Sequence, residues 1–349
     1  MVQPFAEADV DLKAAPLLNV VKLTILEFTP CADSIFHVRR DADEGYIASD
    51  GREVRIQAGA KLRPQLITTY AGGKATNVAR VMDKLLRDTD AVDVELIVFR
   101  PDSPEGRYLD DLQRSALHRV RVRPVMIEGR ARFCIDLTDP TTAESNRVEF
   151  NISPRAVWAE SALDVALTSA SQINSDVLLI AGNPPLMETT GAMAVNLYAQ
   201  VIAAVRPRVG VISLDTEKAL ASCLKAVARP DLIKINEAEY GAVDLALWED
   251  FGGGLIVTDA RGCRLWPERA RHQSVRIDGV QSRAQYSTIG AGDCMHAGFA
   301  TGRWVRGYDL AAAARYGQAA AAAAVNSPDG TRGVTAATVE RFFKMMNDE

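Results

Sequence analysis

Short apolar runs recur along this chain, and stretches with the spacing of amphipathic helices separate most of them. Strands that are buried on both faces read as continuous apolar runs, because neither face needs polar side chains. Strands that alternate with helices favour parallel pairing through βαβ crossovers. We therefore predict one doubly wound α/β core, a parallel sheet between helices, built on the runs at residues 20–28, 94–99, 176–181, 209–214, 231–235 and 254–259.

Two polar segments interrupt this alternation and read as additional strands with one solvated face. Their apolar residues alternate with polar ones, and they lack a helical period. We predict that they form a small antiparallel β lid inserted into the core. The predicted division is an N-terminal extension at 1–19, core segments at 20–38, 72–119 and 152–349, and lid segments at 39–71 and 120–151.

The composition excludes several classes of protein. Hydrophobic residues make up 48% of the 349 residues and charged residues 24%, which is ordinary for a globular chain. The net charge of −5 argues against a broad nucleic-acid surface, and no apolar run reaches the roughly 18 residues that a membrane span needs. The five cysteines contain no CxxC pair, so we expect buried thiols in a reducing, cytoplasmic setting.

The segment STIGAGDCMHAGFATG, residues 287–302, carries the strongest chemical signal. Gly290, Ala291 and Gly292 form a turn of small residues in front of a helical pattern. Such a turn directs several N–H groups to one point, which suits a phosphate or a developing negative charge. Asp293 lies on the first helical turn. It is either an ordinary helix-start acid or a general base that takes the proton of an attacking hydroxyl.

A second segment, AGGKATNVARVM at residues 71–82, joins a glycine turn to polar side chains at a helix start. Gly72 and Gly73 let a backbone approach a ligand closely. Lys74 offers a cation to an anion, and Asn77 offers both a donor and an acceptor to hydroxyl groups. A plain helix entry is the alternative interpretation.

These two segments resemble the two signatures of the ribokinase-like sugar kinases, the PfkB carbohydrate kinase family. The first-signature form resembles that of the 1-phosphofructokinase and tagatose-6-phosphate kinase branch, although Ser287 and Ala75 depart from the usual patterns. The resemblance implies a three-layer α/β/α core with a parallel central sheet and a small inserted β-sheet lid. It also implies that Asp293 is the catalytic base and that the amides of Gly290, Ala291 and Gly292 form an anion hole.

Further matches extend the resemblance to the acceptor site. FTPCAD at residues 28–33 resembles the branch motif LNPAxD, whose Asp binds sugar hydroxyls, with Cys31 in place of Ala. The segment around Arg132 resembles lid strands in which an arginine reaches the sugar phosphate. The resemblance thus implies a set of substrate-binding residues: Asp33, Gly72, Gly73, Lys74, Asn77 and Arg132.

RPDLIKINEAEYG at residues 229–241 resembles the branch motif PDLIKPNxxE. The spacing of Asn236 and Glu239 suits a hard cation such as Mg²⁺ that keeps several waters, and a charged helix start is the alternative. Asp259 and Ala260 stand where the family's nucleotide loop commonly has glycine. The nucleotide-binding residues implied by the resemblance are Lys234, Asn236, Thr258, Gly262 and Asn326.

The resemblance as a whole implies a kinase that uses ATP and Mg²⁺ to phosphorylate fructose 1-phosphate, fructose 6-phosphate or tagatose 6-phosphate. Two alternatives stay open: a kinase of a free sugar or nucleoside on the same fold, and a non-catalytic regulator that binds sugar phosphates. A dinucleotide oxidoreductase is disfavoured because no GxGxxG follows the first strand. The exposed edge of a small sheet can pair with another chain. In the resembling family two lids often pack together in a dimer, so we predict a homodimer through the lid.

Overall fold

A computed structural model gives the fold of the chain. It describes residues 20–37, 48–49, 54–55, 65–138, 147–151, 156–267, 274–280 and 288–347. The predicted N-terminal extension, Ser287 and most of the first predicted lid segment lie outside the described residues.

The strands in chain order are β1 (Val21–Glu27), β2 (Cys31–His37), β3 (Ala48–Ser49), β4 (Val54–Arg55), β5 (Gln65–Gly72), β6 (Val92–Pro101), β7 (Val120–Ile127), β8 (Gly129–Arg130), β9 (Arg132–Thr138), β10 (Arg147–Asn151), β11 (Val157–Trp158), β12 (Ser175–Ala181), β13 (Leu186–Met187), β14 (Val209–Asp215), β15 (Leu232–Asn236), β16 (Gly254–Asp259), β17 (Gly262–Trp266) and β18 (Val275–Asp278). The α-helices are α1 (Lys74–Leu85), α2 (Pro104–Ala116), α3 (Ser161–Ser171), α4 (Leu197–Val205), α5 (Leu220–Lys225), α6 (Glu237–Gly241), α7 (Leu245–Glu249), α8 (Ala291–Ala300), α9 (Leu310–Val325) and α10 (Ala336–Met345).

The largest sheet in the described part of the chain has nine strands in the order β18-β17-β16-β15-β14-β12-β1-β6-β7. The strands from β16 to β7 in this order pair in parallel, and β17 and β18 add an antiparallel edge. All six apolar runs singled out in the sequence are strands of this sheet. The predicted parallel α/β core is therefore confirmed.

Alternate residues of the central strands enter two hydrophobic cores on opposite faces of the sheet. Leu26 and Phe28 pack on the side of α3, α4 and α5, whereas Leu23 and Ile25 pack on the side of α1, α8, α9 and α10. Because each buried strand supplies apolar side chains to both faces, its sequence has no polar alternation. This packing produces three layers, helix on sheet on helix.

A separate four-stranded sheet has the order β10-β9-β2-β5. Strand β2 pairs with β5 in antiparallel and with β9 in parallel orientation, so the sheet is mixed rather than wholly antiparallel as predicted. It corresponds to the predicted lid, and its closure over a ligand stays a prediction.

One boundary of the predicted lid is wrong. Strand β7 falls in the predicted lid segment 120–151, yet it pairs in parallel with β6 at the edge of the central sheet. Its alternation reflects an edge position, because the side chains of Val120 and Val122 are buried while Arg121 is exposed and pairs with Asp93 on β6. A half-exposed strand shows the same period of two in either kind of sheet.

A second boundary also needs correction. Residues 31–37 fall in the predicted core segment 20–38, but they form β2 of the four-stranded sheet. The chain leaves the core immediately after β1, at Pro30, so β2 begins where only a turn was expected.

Among the described residues, no helix combines the length and the apolar character that crossing a membrane requires.

The carboxylate of Asp83 fixes the C-terminal part of α1 to the edge of the central sheet. Its Oδ1 accepts the backbone N–H groups of His118, Arg119 and Val120 at 2.8, 2.5 and 2.8 Å. The Asp83 side chain is buried. A buried N–H group that loses its acceptor is costly, so this cluster holds α1, which carries the second motif, in place.

We expect Asp83→Ala to lower the free energy of unfolding by about 2–4 kcal/mol, since it removes one acceptor from three N–H groups. Urea unfolding monitored by circular dichroism measures this change. Asp88→Ala is the matched control, because Asp88 lies exposed just beyond the same helix and should change little. A loss below about 1 kcal/mol for Asp83→Ala would contradict the assigned role.

Candidate active site

The candidate active site lies at the carboxyl ends of the central strands, where the amino termini of α1 and α8 meet. Strand β1 stands between β12 and β6, so the connections leave it in opposite directions at this point of the sheet. Ligands of open α/β sheets bind in the crevice that such a reversal creates.

A hydrogen bond joins the two motifs found in the sequence. The Asn77 amide Nδ2 donates to Oδ2 of Asp293 at 2.8 Å, although the two residues are 216 positions apart. The structure thus brings both predicted residues together at the start of their helices.

Arg80 fixes the orientation of this amide. Its Nη1 donates to Oδ1 of Asn77 at 2.7 Å, and its other terminal nitrogen bonds the carbonyl of Ala71. Since a guanidinium can only donate, the oxygen of Asn77 must face Arg80 and the nitrogen must face Asp293. Arg80 was not among the predicted site residues; it is buried in α1 and stands three residues after Asn77 on the same helical face.

Asp293 is a buried carboxyl group on the first turn of α8. Burial raises its pKa to about 6, against the opposing effects of Lys74, Asn77 and Lys234. The residue before the helix, Gly290, has a left-handed backbone (φ 77°). A side chain there would meet Thr331, because an ideal Cβ would lie 2.4 Å from its Cγ2. Glycine is therefore required for this helix start.

The three amides of the predicted anion hole lie at the amino terminus of α8. The N–H of Ala291 donates to the carbonyl of Thr288 at 3.2 Å and closes the turn. The ammonium of Lys234 lies against Gly292, since an ideal Cβ on that glycine would be 2.8 Å from Nζ. Lys234, predicted to face the nucleotide, therefore adds a positive charge at this helix start.

A buried carboxylate, Asp215, lies between two ammonium groups. Nζ of Lys234 is 2.8 Å from Oδ2, and Nζ of Lys74 is 3.1 Å from Oδ1. Burial by itself raises the pKa of Asp215, but the two lysines outweigh it and hold the pKa below its usual range. Asp215 was not among the predicted site residues, although an acidic residue that ends an apolar run at this edge of the sheet is a recognisable signal.

The ion pair with Asp215 positions the ammonium group of Lys74. Its ammonium also comes within 3.8 Å of Oε1 of Glu239. Burial lowers the pKa of Lys74, and the carboxylates of Asp215, Asp293 and Glu239 raise it by more, so the group stays charged. Lys74 was predicted to bind a sugar phosphate, and in this structure its charge is matched by acidic residues of the chain itself.

Glu27, at the end of β1, is a second buried acid that was not among the predicted site residues. Its carboxyl oxygens accept the N–H groups of Thr76 at 2.8 Å and Thr29 at 3.2 Å. Burial raises its pKa to about 7. Gly73 (φ 105°) packs on this carboxyl group, where an ideal Cβ would lie 2.5 Å from Oε2. Glycine at position 73 is thus needed to leave room for the Glu27 carboxyl group, independently of any ligand.

Asp33 lies on β2 directly over Gly72. An ideal Cβ on Gly72 would lie 1.9 Å from Oδ2 of Asp33, so only glycine leaves room for this carboxylate. Oδ1 of Asp33 accepts the Cys31 thiol at 2.9 Å. The hydrogen bond to Cys134, together with burial, raises the pKa of Cys31 far above its usual range. Arg132 begins β9 and pairs in register with Cys31, on the strand beside Asp33.

Asn236 and Glu239 form a capping box at the start of α6. Oδ1 of Asn236 accepts the N–H of Glu239 at 2.9 Å, and Oε2 of Glu239 accepts the N–H of Asn236 at 2.9 Å. The charged helix start, which was the alternative interpretation of this motif, is therefore present. A role in binding Mg²⁺ stays a prediction.

The remaining predicted nucleotide residues lie at neighbouring strand ends and at the end of α9. Thr258 on β16 pairs in register with Asn236 on β15, and Gly262 opens β17 after a turn. Asn326 ends α9, where its amide donates to the carbonyl of Ala322 at 2.7 Å. Their nucleotide contacts stay predictions.

Asp259, which departs from the expected loop glycine, forms an ion pair. Its Oδ1 lies 3.0 Å from Nη2 of Arg276 on β18, and hydrogen bonds from that guanidinium lower the pKa of Asp259 to about 2. The substitution therefore ties β16 to β18.

The chemistry of this site follows from the environment of Asp293. A carboxyl group whose pKa lies near neutrality can accept a proton at physiological pH. The adjacent helix amino terminus and the Lys234 ammonium can stabilise negative charge that develops beside it. This is the arrangement needed to activate a hydroxyl group next to an anion.

Three solved structures with a similar fold are described as kinases. Phosphofructokinase-2 from Escherichia coli, in complex with substrates and products, matches with a TM-score of 0.72 and 19% identity over 94% of this chain and 100% of that one. A possible 1-phosphofructokinase from Thermotoga maritima has a TM-score of 0.68 and 16% identity over 93% and 97%. A nucleoside kinase from Methanocaldococcus jannaschii, an archaeal member of the ribokinase family, has a TM-score of 0.57 and 18% identity over 94% and 99%.

Curated protein sequences give no match to the chain. The family model described as pfkB family carbohydrate kinase matches residues 46–337, which is most of the sequence. That span includes α1, Asp215, Lys234 and α8, the elements that build the site. The chain therefore belongs to the pfkB family of carbohydrate kinases.

Proposed function

We propose that this chain is an ATP-dependent sugar kinase whose acceptor is a phosphorylated ketohexose and whose general base is Asp293. The observation that carries the proposal is the 2.8 Å hydrogen bond from Asn77 to Asp293 at the junction of two helix amino termini. It combines a group suited to binding sugar hydroxyls with a carboxyl group whose pKa is raised to about 6.

In the proposed reaction, Asp293 takes the proton of the acceptor hydroxyl as its oxygen attacks the γ-phosphorus of ATP. A bond forms from that oxygen to phosphorus, the bond to the bridging oxygen breaks, and ADP leaves. The amides of Gly290 and Gly292 and the ammonium of Lys234 would offset the developing charge. Ala291 would contribute by sharing the hydrogen that it now gives to Thr288.

The small sheet and the start of α1 together form the proposed acceptor site. Asp33 and Asn77, with the backbone of Gly72 and Gly73, would bind the hydroxyls, and Arg132 and Lys74 would bind the existing phosphate. An arginine suits a bidentate phosphate contact. Closure of this sheet would exclude water from ATP, and a homodimer clasped through its edges remains part of the proposal.

The residues at α6 fit a Mg²⁺ ion held through water. Oε2 of Glu239 serves the capping box, which leaves Oε1 facing the site beside Lys74. One remaining carboxylate oxygen is consistent with outer-shell binding, since Mg²⁺ usually keeps several waters. When bound, the ion would supply neutralisation of phosphate charge.

A kinase of a free sugar or nucleoside is the second candidate, and the position of Lys74 favours it. The ammonium of this lysine is 3.1 Å from Asp215, so its charge is already matched before any phosphate binds. The phosphorylated acceptor then depends chiefly on Arg132.

A panel of acceptors decides between these candidates. We expect kcat/KM for ATP consumption to be roughly 10-fold or more higher with fructose 1-phosphate, fructose 6-phosphate or tagatose 6-phosphate than with free sugars or adenosine. A factor of 10 corresponds to about 1.4 kcal/mol of binding free energy from the phosphate group. Coupled ADP release measures kcat/KM, with calorimetric binding in parallel. Preference for a neutral acceptor would contradict the phosphorylated-acceptor proposal, and binding without ADP release would favour a non-catalytic regulator.

Asp293→Asn should fold normally and lose roughly 100-fold or more in kcat, because an amide cannot accept the proton. Steady-state kinetics and circular dichroism measure the two effects. Asp309→Asn is the matched control, since Asp309 caps α9 at a helix start where asparagine caps equally well. Phosphorylation by Asp293→Asn at nearly the wild-type rate would refute the assignment.

The raised pKa of Asp293 predicts a fall in kcat/KM as the pH drops through about 6, because the protonated carboxyl group is not a base. A sugar phosphate has its own second pKa near 6, so the wild-type profile alone is ambiguous. Asn77 donates to the ionised carboxylate and thereby lowers its pKa. We therefore expect Asn77→Ala to move the acid limb to higher pH, and an unmoved limb would contradict the assignment to Asp293.

A further inference from the structure

Two thiols and a carboxylate meet on the four-stranded sheet. Sγ of Cys31 lies 3.2 Å from Sγ of Cys134 and 2.9 Å from Oδ1 of Asp33. Both cysteines are buried, with 1% and 3% of their surface exposed. Their sulfur atoms and the carboxylate oxygen all lie within 4.8 Å of one another, the kind of grouping that can hold a metal ion in the described part of the chain.

The pairing of β2 with β9 produces this grouping. Asp33 lies opposite Cys134 in the parallel register, and residues two apart on a strand face the same side. Cys31 and Asp33 therefore project beside Cys134 from adjacent strands, on a backbone fixed by the sheet. Cys31 stands where the resembling motif has alanine, so the thiol pair is a feature of this chain that the proposed phosphoryl transfer does not use.

We propose that Cys31, Cys134 and Asp33 bind a thiophilic divalent cation of the Zn²⁺ class, and that the bound cation blocks the acceptor. Two sulfur ligands and one carboxylate oxygen suit Zn²⁺. They do not suit Mg²⁺, which takes oxygen ligands. The site is therefore separate in chemistry from any ion that accompanies ATP.

The geometry needs only a small adjustment. Tetrahedral coordination with Zn–S bonds of about 2.3 Å places two sulfurs about 3.8 Å apart, and the thiols now lie 3.2 Å apart. A side-chain rotation that moves one sulfur atom by roughly half an ångström supplies the difference. Three protein ligands leave the fourth position for water. On coordination the two thiols release their protons to solvent, and no electron transfer takes place.

The inhibitory part of the inference depends on the proposed function, in which Asp33 binds acceptor hydroxyls. A carboxylate committed to the cation cannot accept hydrogen bonds from the sugar in the same way. Inhibition is therefore expected to compete with the acceptor and not with ATP.

Binding is tested on the full reduced chain by titration with Cd²⁺, whose thiolate complexes absorb in the ultraviolet, followed by displacement with Zn²⁺. We expect saturation at one equivalent. Cys31→Ser and Cys134→Ala should each weaken binding by more than roughly 100-fold, because even outer-shell partners of a metal are worth 10–100-fold. Cys223→Ala is the matched control, a buried thiol in α5 outside this group, and should bind like the wild type.

Absence of a one-equivalent thiolate band, or a band that persists unchanged in Cys31→Ser and Cys134→Ala, overturns the site. This arm needs no enzymatic activity, so it stands apart from the proposed function. In the kinetic arm, Zn²⁺ should raise KM for the acceptor in the wild type and in Cys223→Ala, and have little effect in Cys134→Ala. An acceptor KM that is unchanged at saturating Zn²⁺ overturns the inhibitory role.

Discussion

The buried carboxylate of Asp215 is the constraint on which the site depends. Removing one partner from a buried ion pair leaves an uncompensated charge, which is strongly destabilising. Asp215 therefore requires both Lys74, at the start of α1, and Lys234, in the middle of β15. These lysines also act on Asp293, where burial outweighs them and the pKa settles at about 6. The two lysines that neutralise Asp215 thereby also lower the pKa that burial alone would give the proposed base.

The core of the fold could be predicted because burial on both faces of a parallel sheet demands apolar runs, and those runs are legible. Two predicted segment boundaries, at β2 and at β7, were wrong for the same reason. Alternation along β7 indicates only that one face of that strand is exposed, and Cys31–His37 carries no pattern that marks it as a strand of a second sheet. Which sheet a strand joins depends on pairing between distant segments. Residues 120–127 were therefore assigned to the lid instead of the central sheet, and residues 31–37 to the core segment instead of the four-stranded sheet.

The site was predictable where glycine turns carry a local signal, and less so where single polar residues act through distant partners. Asn77 and Asp293 were identified separately, and only the fold brings them to 2.8 Å. Glu27, Arg80 and Asp215 were not predicted because each is a single polar residue within an apolar stretch or at its end. The role of each residue depends on the group that it contacts, and that group lies elsewhere in the chain.

A double-mutant cycle on kcat between Asn77 and Asp293 tests the central claim most directly, namely that the two helix starts act as one unit through their hydrogen bond. If they do, Asn77→Ala should cost little more once Asp293→Asn is present, giving a coupling energy of about 1–3 kcal/mol. Effects that add within about 0.5 kcal/mol would show that the two side chains act independently, and would contradict the account.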